Sequence, residues 1–244
     1  MLGLWQGAVR LAAIPPYILP GPLLVAETLV DDWHTLWPSL LVTLSVTLEA
    51  LAAAVLVGGL LAVLFSLSRL VELSLFPYAI VLQVTPIVAI APLIIVWANN
   101  VDLSLLICAW LVAFFPILSN TILGLRSVDP QLLSLFQLYG AGRWRTLVEL
   151  RLPSALPYFL GGLRISGGLA LIGAVVAEFV AGSGGNASGL AWRILESSYE
   201  LKIPRMFAAL VLISGSGIAI FLLLTLLSHL LLRRWHDSEI APEG

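Results

Sequence analysis

The sequence predicts an all-α, polytopic membrane protein, and its charge content and its long apolar runs support this fold class. Of the 244 residues, 60% are hydrophobic and only 11% are charged, whereas soluble domains usually carry about 25% charged residues. A helix needs about 20 apolar residues to cross a bilayer, and several uncharged runs are that long. The composition excludes an ordinary soluble enzyme. The net charge of −2 also excludes a basic nucleic-acid-binding surface.

Five runs meet the length criterion for a span, at residues 40–67, 73–98, 103–125, 158–181 and 207–232. They are predicted to be helices, because strands of membrane barrels alternate in polarity and are only about ten residues long.

Residues 1–19 are also apolar, but Pro15 and Pro16 interrupt them, and proline breaks helices. This stretch is predicted to be an interfacial segment or the remnant of a span. The expected organisation is an N-terminal segment (1–34), a membrane domain (35–232) and a tail (233–244).

Arginine and lysine are unevenly distributed between the two ends of the predicted spans. If the chain alternates, one side carries Arg69, Arg126, Arg143, Arg145, Arg151, Arg164, Arg233 and Arg234. The other side carries Arg10, Arg193, Lys202 and Arg205. The side richer in basic residues is expected to be cytoplasmic. This predicts a cytoplasmic C-terminus and, with five spans, an N-terminus outside.

The connection between the third and fourth spans, at residues 126–157, contains its own helical signals. Asp129 and Pro130 are typical of a helix start, since aspartate accepts hydrogen bonds from free amides and proline is tolerated in the first turn. Apolar residues then recur at helical spacing until Gly140. A second short helix is predicted from residue 143 to 150, before Pro153. The expected structure is a helix–turn–helix at the membrane surface.

This connection resembles the cytoplasmic "EAA" loop of binding-protein-dependent ABC importer permeases. The resemblance is carried by Gly140-Ala141-Gly142-Arg143-Trp144 and by Leu152-Pro153-Ser154-Ala155-Leu156-Pro157. Two flanking passages are also similar to that family, Ala113-Phe114-Phe115-Pro116 through to Pro130 before the loop, and Gly162-Leu163-Arg164 with Ala177-Glu178 after it. Leu19-Pro20-Gly21-Pro22 matches a short motif of the nitrate/sulfonate/taurine branch.

The resemblance implies a type I importer permease domain in a bacterial inner membrane, with residues 126–157 coupling the spans to ATPase subunits. The residues implied in coupling are Ser134, Gly140, Ala141, Gly142, Arg143, Arg145 and Pro153. Two features depart from the family pattern. Ser134-Leu135-Phe136 stands where the family has Glu-Ala-Ala, and the branch usually has six spans.

The partners that the resemblance implies are a cytoplasmic ABC ATPase dimer, a second permease copy and a periplasmic or lipid-anchored substrate-binding protein, with no nucleic acid. Since Lys202 is the only lysine, no GxxxxGK[ST] phosphate loop can exist. No catalytic residue and no cofactor are therefore expected in this chain, and ATP and Mg²⁺ are expected on the ATPase. The cargo implied is a small solute such as nitrate, taurine, a sulfonate, bicarbonate or a pyrimidine precursor.

Polar residues within the spans are the candidates for a pore or gate. Gln83, Thr85, Asn99 and Asn120 could hydrogen-bond cargo or hold helices together. Glu178 could form an outer gate or a docking point for the binding protein, or be held by neighbouring amides or by Arg193. Glu49 could bond a neighbouring helix, be protonated or contact substrate.

No metal site is expected, because the three histidines, at 34, 229 and 236, show no ligand spacing. Two other functions remain as alternatives. A membrane-embedded enzyme would need a clustered nucleophile and base or metal ligands. A secondary transporter driven by an ion gradient would be expected to show paired repeats with broken helices.

Glycines are concentrated in the fourth span, at Gly161, Gly162, Gly167, Gly168 and Gly173. Small residues allow close helix packing in lipid, so this span is expected to pack centrally, near the axis of a dimer. Flexibility for gating is the alternative interpretation.

Overall fold

The protein was analysed as a computed structural model that describes residues 2–182 and 188–233, and within these ranges it is helical without a β-strand. The helices are α1 (Leu2–Leu11), α2 (Pro22–Asp31), α3 (Trp33–Leu67), α4 (Arg69–Val84), α5 (Ile87–Ala98), α6 (Val101–Arg126), α7 (Pro130–Leu138), α8 (Arg143–Thr146), α9 (Leu152–Ala181), α10 (Leu190–Tyr199) and α11 (Ile203–Leu232). The predicted tail lies outside the described residues except for Arg233.

Four continuous helices are long and apolar enough to cross a membrane, and α4 with α5 forms a bent pair that makes a fifth candidate. The predicted helical span over 73–98 is divided into two helices, since α4 and α5 meet at 105°. The break falls at Thr85 and Pro86, where the backbone is extended. Proline lacks an amide hydrogen and disfavours helical geometry in the residue before it.

The bent pair still runs from one end of the bundle to the other. Glu72 in the first turn of α4 pairs with Arg126 in the last turn of α6, so α6 ends on the same side as α3, which ends just before α4. Since α6 therefore begins at the opposite end, the chain passes from one end to the other through α4 and α5. The described residues thus contain up to five candidate spans, as predicted, and the second one is broken.

The fourth span is longer than predicted. The expected short helix from 143 to 150 does not stop before Pro153, since residues 143–181 form one continuous helix of 39 residues. A π-helical turn at Leu147–Arg151 lies just before Pro153, and the Leu152 amide bonds to the Leu147 carbonyl, five residues back. This wider turn accommodates a proline that cannot donate a helical hydrogen bond.

The centre of the bundle is the pair α6 and α9, which pack more closely than any other two helices. A Cβ atom on Gly162 would lie 2.7 Å from the Pro116 carbonyl oxygen, and one on Gly173 would lie 2.9 Å from the Cα of Ala109. Ser166 donates a hydrogen bond to the Ala113 carbonyl at 2.6 Å. The central position predicted for the fourth span is therefore confirmed by these close approaches.

Helices α2 and α10 pack against the beginnings of α3 and α11, at the end of the bundle opposite to α7. Val25 of α2, Leu36 of α3, Leu190 of α10 and Ala208 of α11 share a buried cluster there. Helix α1 has ten residues, about 15 Å, which is too short to cross a bilayer.

Candidate translocation path and coupling surface

Helix α7 is fixed at both ends by local hydrogen bonds. Asp129 accepts a bond from the Gln131 amide at 2.7 Å, with Pro130 as the first helical residue, as the sequence predicted. At the other end Gly140 has a φ of +67°. The Gly140 amide bonds to the Gln137 carbonyl and the Ala141 amide to the Phe136 carbonyl, which is a Schellman C-cap. The turn after α7 is therefore a defined geometry that favours glycine.

Helix α7 contains no buried residue. Leu138 is 85% exposed and Tyr139 is 82% exposed, and Leu132, Leu135 and Trp144 are exposed as well. Since these side chains lie in the connection rather than in a span, this apolar surface is available to a protein partner.

Two cavities flank this connection. One, of about 600 Å³, lies between α7 and the bundle and is lined by residues 66–70, 133, 137, 141, 143, 146, 147 and 151; we call it the basic cavity. The other, of about 270 Å³, is lined by residues 135, 136, 139, 141, 145 and 149. The structure places Ala141 in the wall of both cavities.

The other residues implied in coupling have separate local roles. The Ser134 hydroxyl donates to the Pro130 carbonyl at 2.8 Å, and Arg145 pairs with Glu149 at 2.9 Å. Gly142 precedes the first turn of α8, and its carbonyl accepts a bond from the Thr146 amide. Pro153 lies in the fourth span rather than in the turn. The sequence thus identified one connected region, but not which side chains face which cavity.

Glu72 was not singled out from the sequence and is an important contact at this end. It is 7% exposed and bridges Arg69 at 2.9 Å and Arg126 at 2.5 Å. The bridge ties the first turn of α4 to the last turn of α6. The proximity of basic residues to the ends of the spans was the only signal of it in the sequence.

The break in the second span opens onto a cavity of about 310 Å³. Gln83 and Thr85 line it, together with Val112 and Pro116 of α6 and Leu169 of α9. Pro116 cannot donate the helical hydrogen bond to the Val112 carbonyl, so that oxygen lacks its helical partner. Non-helical backbone at membrane depth is tolerated where it lines a cavity or is buried in protein. Gln83 and Thr85 therefore lie together at this break, where Gln83 is exposed and the Thr85 hydroxyl donates to the Val81 carbonyl at 2.6 Å.

The predicted asparagines do not reach this cavity. Asn99 ends α5 in a left-handed conformation, with φ +48°. Asn120 donates to the Pro116 carbonyl at 2.9 Å. A Cβ atom added to Gly162 would lie 3.0 Å from the Cβ of Asn120. The geometry of Asn120 favours the helix-packing interpretation, whereas Asn99 is exposed at the end of α5 and favours neither interpretation.

Glu178 is buried at the opposite end of the bundle, with 3% of its surface exposed. It accepts hydrogen bonds from the Thr43 hydroxyl at 2.8 Å and from the Ala191 amide at 3.0 Å. Thr43 in turn accepts a bond from the Leu190 amide at 2.9 Å. The two side chains therefore hold the free amides at the start of α10.

This geometry agrees with the interpretation that neighbouring amides hold Glu178. Arg193 does not take part, since it donates to Ser39 and pairs with Glu196, both at 2.9 Å. A Cβ on Gly189 would collide with the Glu178 carboxylate, so the approach requires glycine at that position.

Glu49 lies exposed on α3. In the described parts of the chain, no residue hydrogen-bonds to it or pairs with it. A carboxylate within a span is costly when it faces lipid, so we expect this face of α3 to border a water-filled path or a second subunit.

An ion pair that the sequence did not reveal lies at the same end as Glu178. Arg205 donates to both carboxylate oxygens of Asp32, at 2.6 and 2.9 Å. The hydrogen bond from Arg205 lowers the pKa of Asp32 below its usual value of 3.8, against the opposing effect of burial. The pair joins the α2–α3 junction to the first turn of α11.

No cluster of three potential metal ligands occurs among the described residues.

Comparison with known proteins identifies the family. The profile described as "Binding-protein-dependent transport system inner membrane component" matches residues 54–236. The riboflavin transport system permease protein RibX of Chloroflexus aurantiacus is 36% identical over 240 residues, covering 98% of this chain and 88% of that protein. The formylaminopyrimidine transport permease protein ThiX of Halalkalibacterium halodurans is 32% identical, with 98% and 94% covered.

A probable ABC transporter permease protein of Haemophilus influenzae is 32% identical, covering 94% of this chain and 92% of that protein. Among solved structures, an amino acid ABC transporter crystallised with histidines matches with a TM-score of 0.68 and 19% identity, over 85% of this chain and 97% of that one. That likeness supports the fold. The chain belongs to the family of binding-protein-dependent inner membrane components, and it is a multi-pass permease subunit of an ABC transporter.

Proposed function

We propose that this permease imports its cargo through the cavity at the α4–α5 break and couples that movement to ATP hydrolysis on separate cytoplasmic ATPase subunits through α7. The observation that carries the coupling half is the exposed apolar surface of α7, which is held in a fixed geometry by Asp129 and Gly140 and contains no buried residue in the described part of the chain. Such a surface suits a cleft on a partner protein.

The proposal places ATP and Mg²⁺ on that partner. A substrate-binding protein would deliver cargo at the opposite end, near α10. A second permease copy would supply a second α7, because the ATPases of this class act as pairs. That copy could be identical or a related permease.

We infer further that the cargo is an uncharged, hydrogen-bonding solute. The lining of the cavity at the break contains Gln83 and Thr85 but neither lysine nor arginine. An anion such as a sulfonate is usually bound by cationic or multiple amide donors. Relatives named for riboflavin and for formylaminopyrimidine carry ligands with several hydrogen-bonding groups, which this lining could accommodate.

The test is uptake by proteoliposomes that contain the permease, its ATPase and its binding protein. Import should require ATP on the ATPase side and should persist after ionophores collapse all ion gradients. Import that follows a gradient without ATP would instead support the secondary-transporter alternative. Riboflavin, a formylaminopyrimidine and taurine should be compared as cargo, and preference for taurine would contradict the inference of an uncharged solute.

A further inference from the structure

The basic cavity has the composition of a binding site for a phosphate group. Arg69, Arg143 and Arg151 line it, and no aspartate or glutamate does so among the residues described. Glu72, which pairs with Arg69, also pairs with Arg126 and does not line the cavity. Arg143 is exposed, and Arg151 makes one long contact of 3.4 Å with the Ser66 carbonyl. Much of the donor capacity of these guanidinium groups is therefore available to a ligand.

Two helix beginnings add to this positive potential. Helix α4 starts at Arg69 and the 39-residue helix starts at Arg143, and both residues line the cavity. The first amides of a helix have no partner within the helix, and they favour anions. The arginines and the helix starts therefore favour the same ligand, a compact anion with several oxygen atoms.

The apolar part of the lining indicates what carries the phosphate. Leu67, Leu70, Leu133 and Leu147 also line the cavity, and Leu70 is 78% exposed. The cavity lies where α3 ends and α4 begins, and its apolar wall includes the exposed Leu70 at that end of the two helices. A ligand that matches both parts is a phosphate with acyl chains attached.

We propose that the basic cavity binds the headgroup of an anionic phospholipid, which then lies between α7 and the ends of the spans. Basic pockets between helices at the cytoplasmic surface are suited to such headgroups. An acidic side chain of the ATPase is the competing ligand. The cavity, however, lies on the bundle side of α7, bordered by Leu133 and Gln137, whereas the strongly exposed Leu138 does not line it. The bound lipid would fill the space between α7 and the bundle and so stabilise the position of α7.

The test uses the full-length permease in detergent micelles, titrated with palmitoyl-oleoyl phosphatidylglycerol or with the corresponding phosphatidylcholine, and bound lipid is counted by native mass spectrometry. One phosphatidylglycerol should be retained in preference to phosphatidylcholine. The double variant Arg143→Gln, Arg151→Gln should bind phosphatidylglycerol about thirtyfold more weakly, since two basic residues at about 1 kcal/mol each together contribute about 2 kcal/mol.

The matched control is Arg145→Gln, which removes an arginine that pairs with Glu149 and does not line the basic cavity; lipid retention should be unchanged. The double variant Arg143→Lys, Arg151→Lys should restore part of the lipid binding. This would show that the loss of lipid binding in the Gln variant is not caused by misfolding.

Three results would overturn the proposal. The first is equal retention of phosphatidylglycerol by the parent and the Gln variant. The second is equal retention of the two lipids while inorganic phosphate binds, which would assign the cavity to a free anion. The third is loss of the retained lipid when the ATPase binds, which would assign these arginines to the protein interface.

Discussion

Glu178 of α9 and Thr43 of α3, 135 residues apart in sequence, share a buried hydrogen bond of 2.8 Å, and between them they bond the first two amides of α10. Three helices are thus joined at one point at the end of the bundle opposite to α7. The arrangement is local to a few atoms, so single substitutions can test it.

Replacing Thr43 by alanine should destabilise the protein, because the Leu190 amide and one Glu178 oxygen lose a buried partner. Such a loss costs about 1–3 kcal/mol. Glu178→Ala should have a similar effect, and the double variant should cost less than the sum because the two side chains share a bond. Thermal unfolding in detergent and amide exchange over α10 are the measurements.

Glu27→Ala is the control, since Glu27 is exposed on α2, and it should unfold like the parent. A gate role for Glu178 predicts a different outcome. If Glu178→Ala abolished uptake while stability and exchange stayed at parental values, the carboxylate would act on transport rather than on the position of α10.

Placing a carboxylate at Ala141 should uncouple the transporter. Ala141 lies in the C-cap turn of α7, next to the exposed Leu138 and Tyr139, so Ala141→Asp introduces a charge beside the proposed ATPase contact. An unpaired charge at a docked interface costs several kcal/mol. ATPase activity stimulated by loaded binding protein should be lost in reconstituted vesicles, with normal insertion into the membrane.

The control for Ala141→Asp is Asn100→Asp, which adds a carboxylate at the opposite end and can still accept the capping bond from the Leu103 amide. It should retain stimulated activity. Transport at the parental rate by Ala141→Asp would refute the coupling role of this turn.

Gly140→Ala should have a milder effect, about 1 kcal/mol of strain, because its φ is positive but a Cβ there meets no neighbour.

Some glycines of the fourth span pack against a neighbouring helix, and others have open space where a side chain would lie. This difference shows which positions a second copy would contact in the predicted dimer. Gly162 and Gly173 already contact α6, whereas a Cβ on Gly161 or Gly168 meets nothing within 4 Å. If a second copy packs here, single cysteines at 161 and 168 should form intermolecular disulfides in membranes, in a background with Cys108→Ala.

A cysteine at 162 is the internal comparison and should not crosslink. Absence of crosslinks at both 161 and 168 would show that the second copy lies elsewhere. Gly162→Ala should also lower thermal stability by about 1–3 kcal/mol, because the methyl group meets backbone, while Gly161→Ala should be neutral or slightly stabilising.

The ion pair between Asp32 and Arg205 should make stability dependent on pH in the acid range only. Because Arg205 lowers the pKa of Asp32 in the folded protein, the stabilisation is complete well above the usual value of 3.8 and is lost as pH falls through the lowered folded pKa. Thermal unfolding followed from neutral pH to about pH 3 should show this decline.

Asp32→Asn should be less stable than the parent at neutral pH and should decline less steeply in acid. A variant with the same acid dependence as the parent would show that other carboxylates cause the decline. Both side chains of the pair are mostly covered, at 19% and 17% exposed, so the contribution should exceed that of an ordinary surface pair.

The predicted orientation can be measured by labelling cysteines at exposed sites. Leu138 should label from the cytoplasmic side, and Tyr199 and Leu201, which are 78% and 75% exposed, should label from outside. Leu190 is unsuitable because it is fully buried. Cytoplasmic labelling at 199 and 201 would reverse the topology.

The sequence was most informative where a local rule determines the structure. Asp129 and Gly140 were predicted as the ends of α7 because capping chemistry needs particular residues at particular positions. The five crossings followed from the length of the apolar runs. By contrast, Pro86 did not reveal a 105° bend, since prolines elsewhere in these spans, such as Pro116, sit within continuous helices.

The long-range contacts could not be predicted, because their partners are far apart in sequence. Thr43 is an ordinary polar residue until α9 brings Glu178 to it, and Glu72 becomes buried only when α6 supplies Arg126. Arg193 was as plausible a partner for Glu178 as the amides of α10. Only the packing of α3, α9 and α10 decides between them.

The unbroken helix from Arg143 to Ala181 has a mechanical consequence. Its 39 residues extend about 58 Å, from the turn after α7 to the carboxylate that holds α10. Close contacts with α6 recur along it, at Gly162, Ser166 and Gly173, so the two helices are packed together over much of the span. A displacement at Arg143 would therefore reach Glu178, and the start of α10 with it, through α6 and α9 moving as one unit.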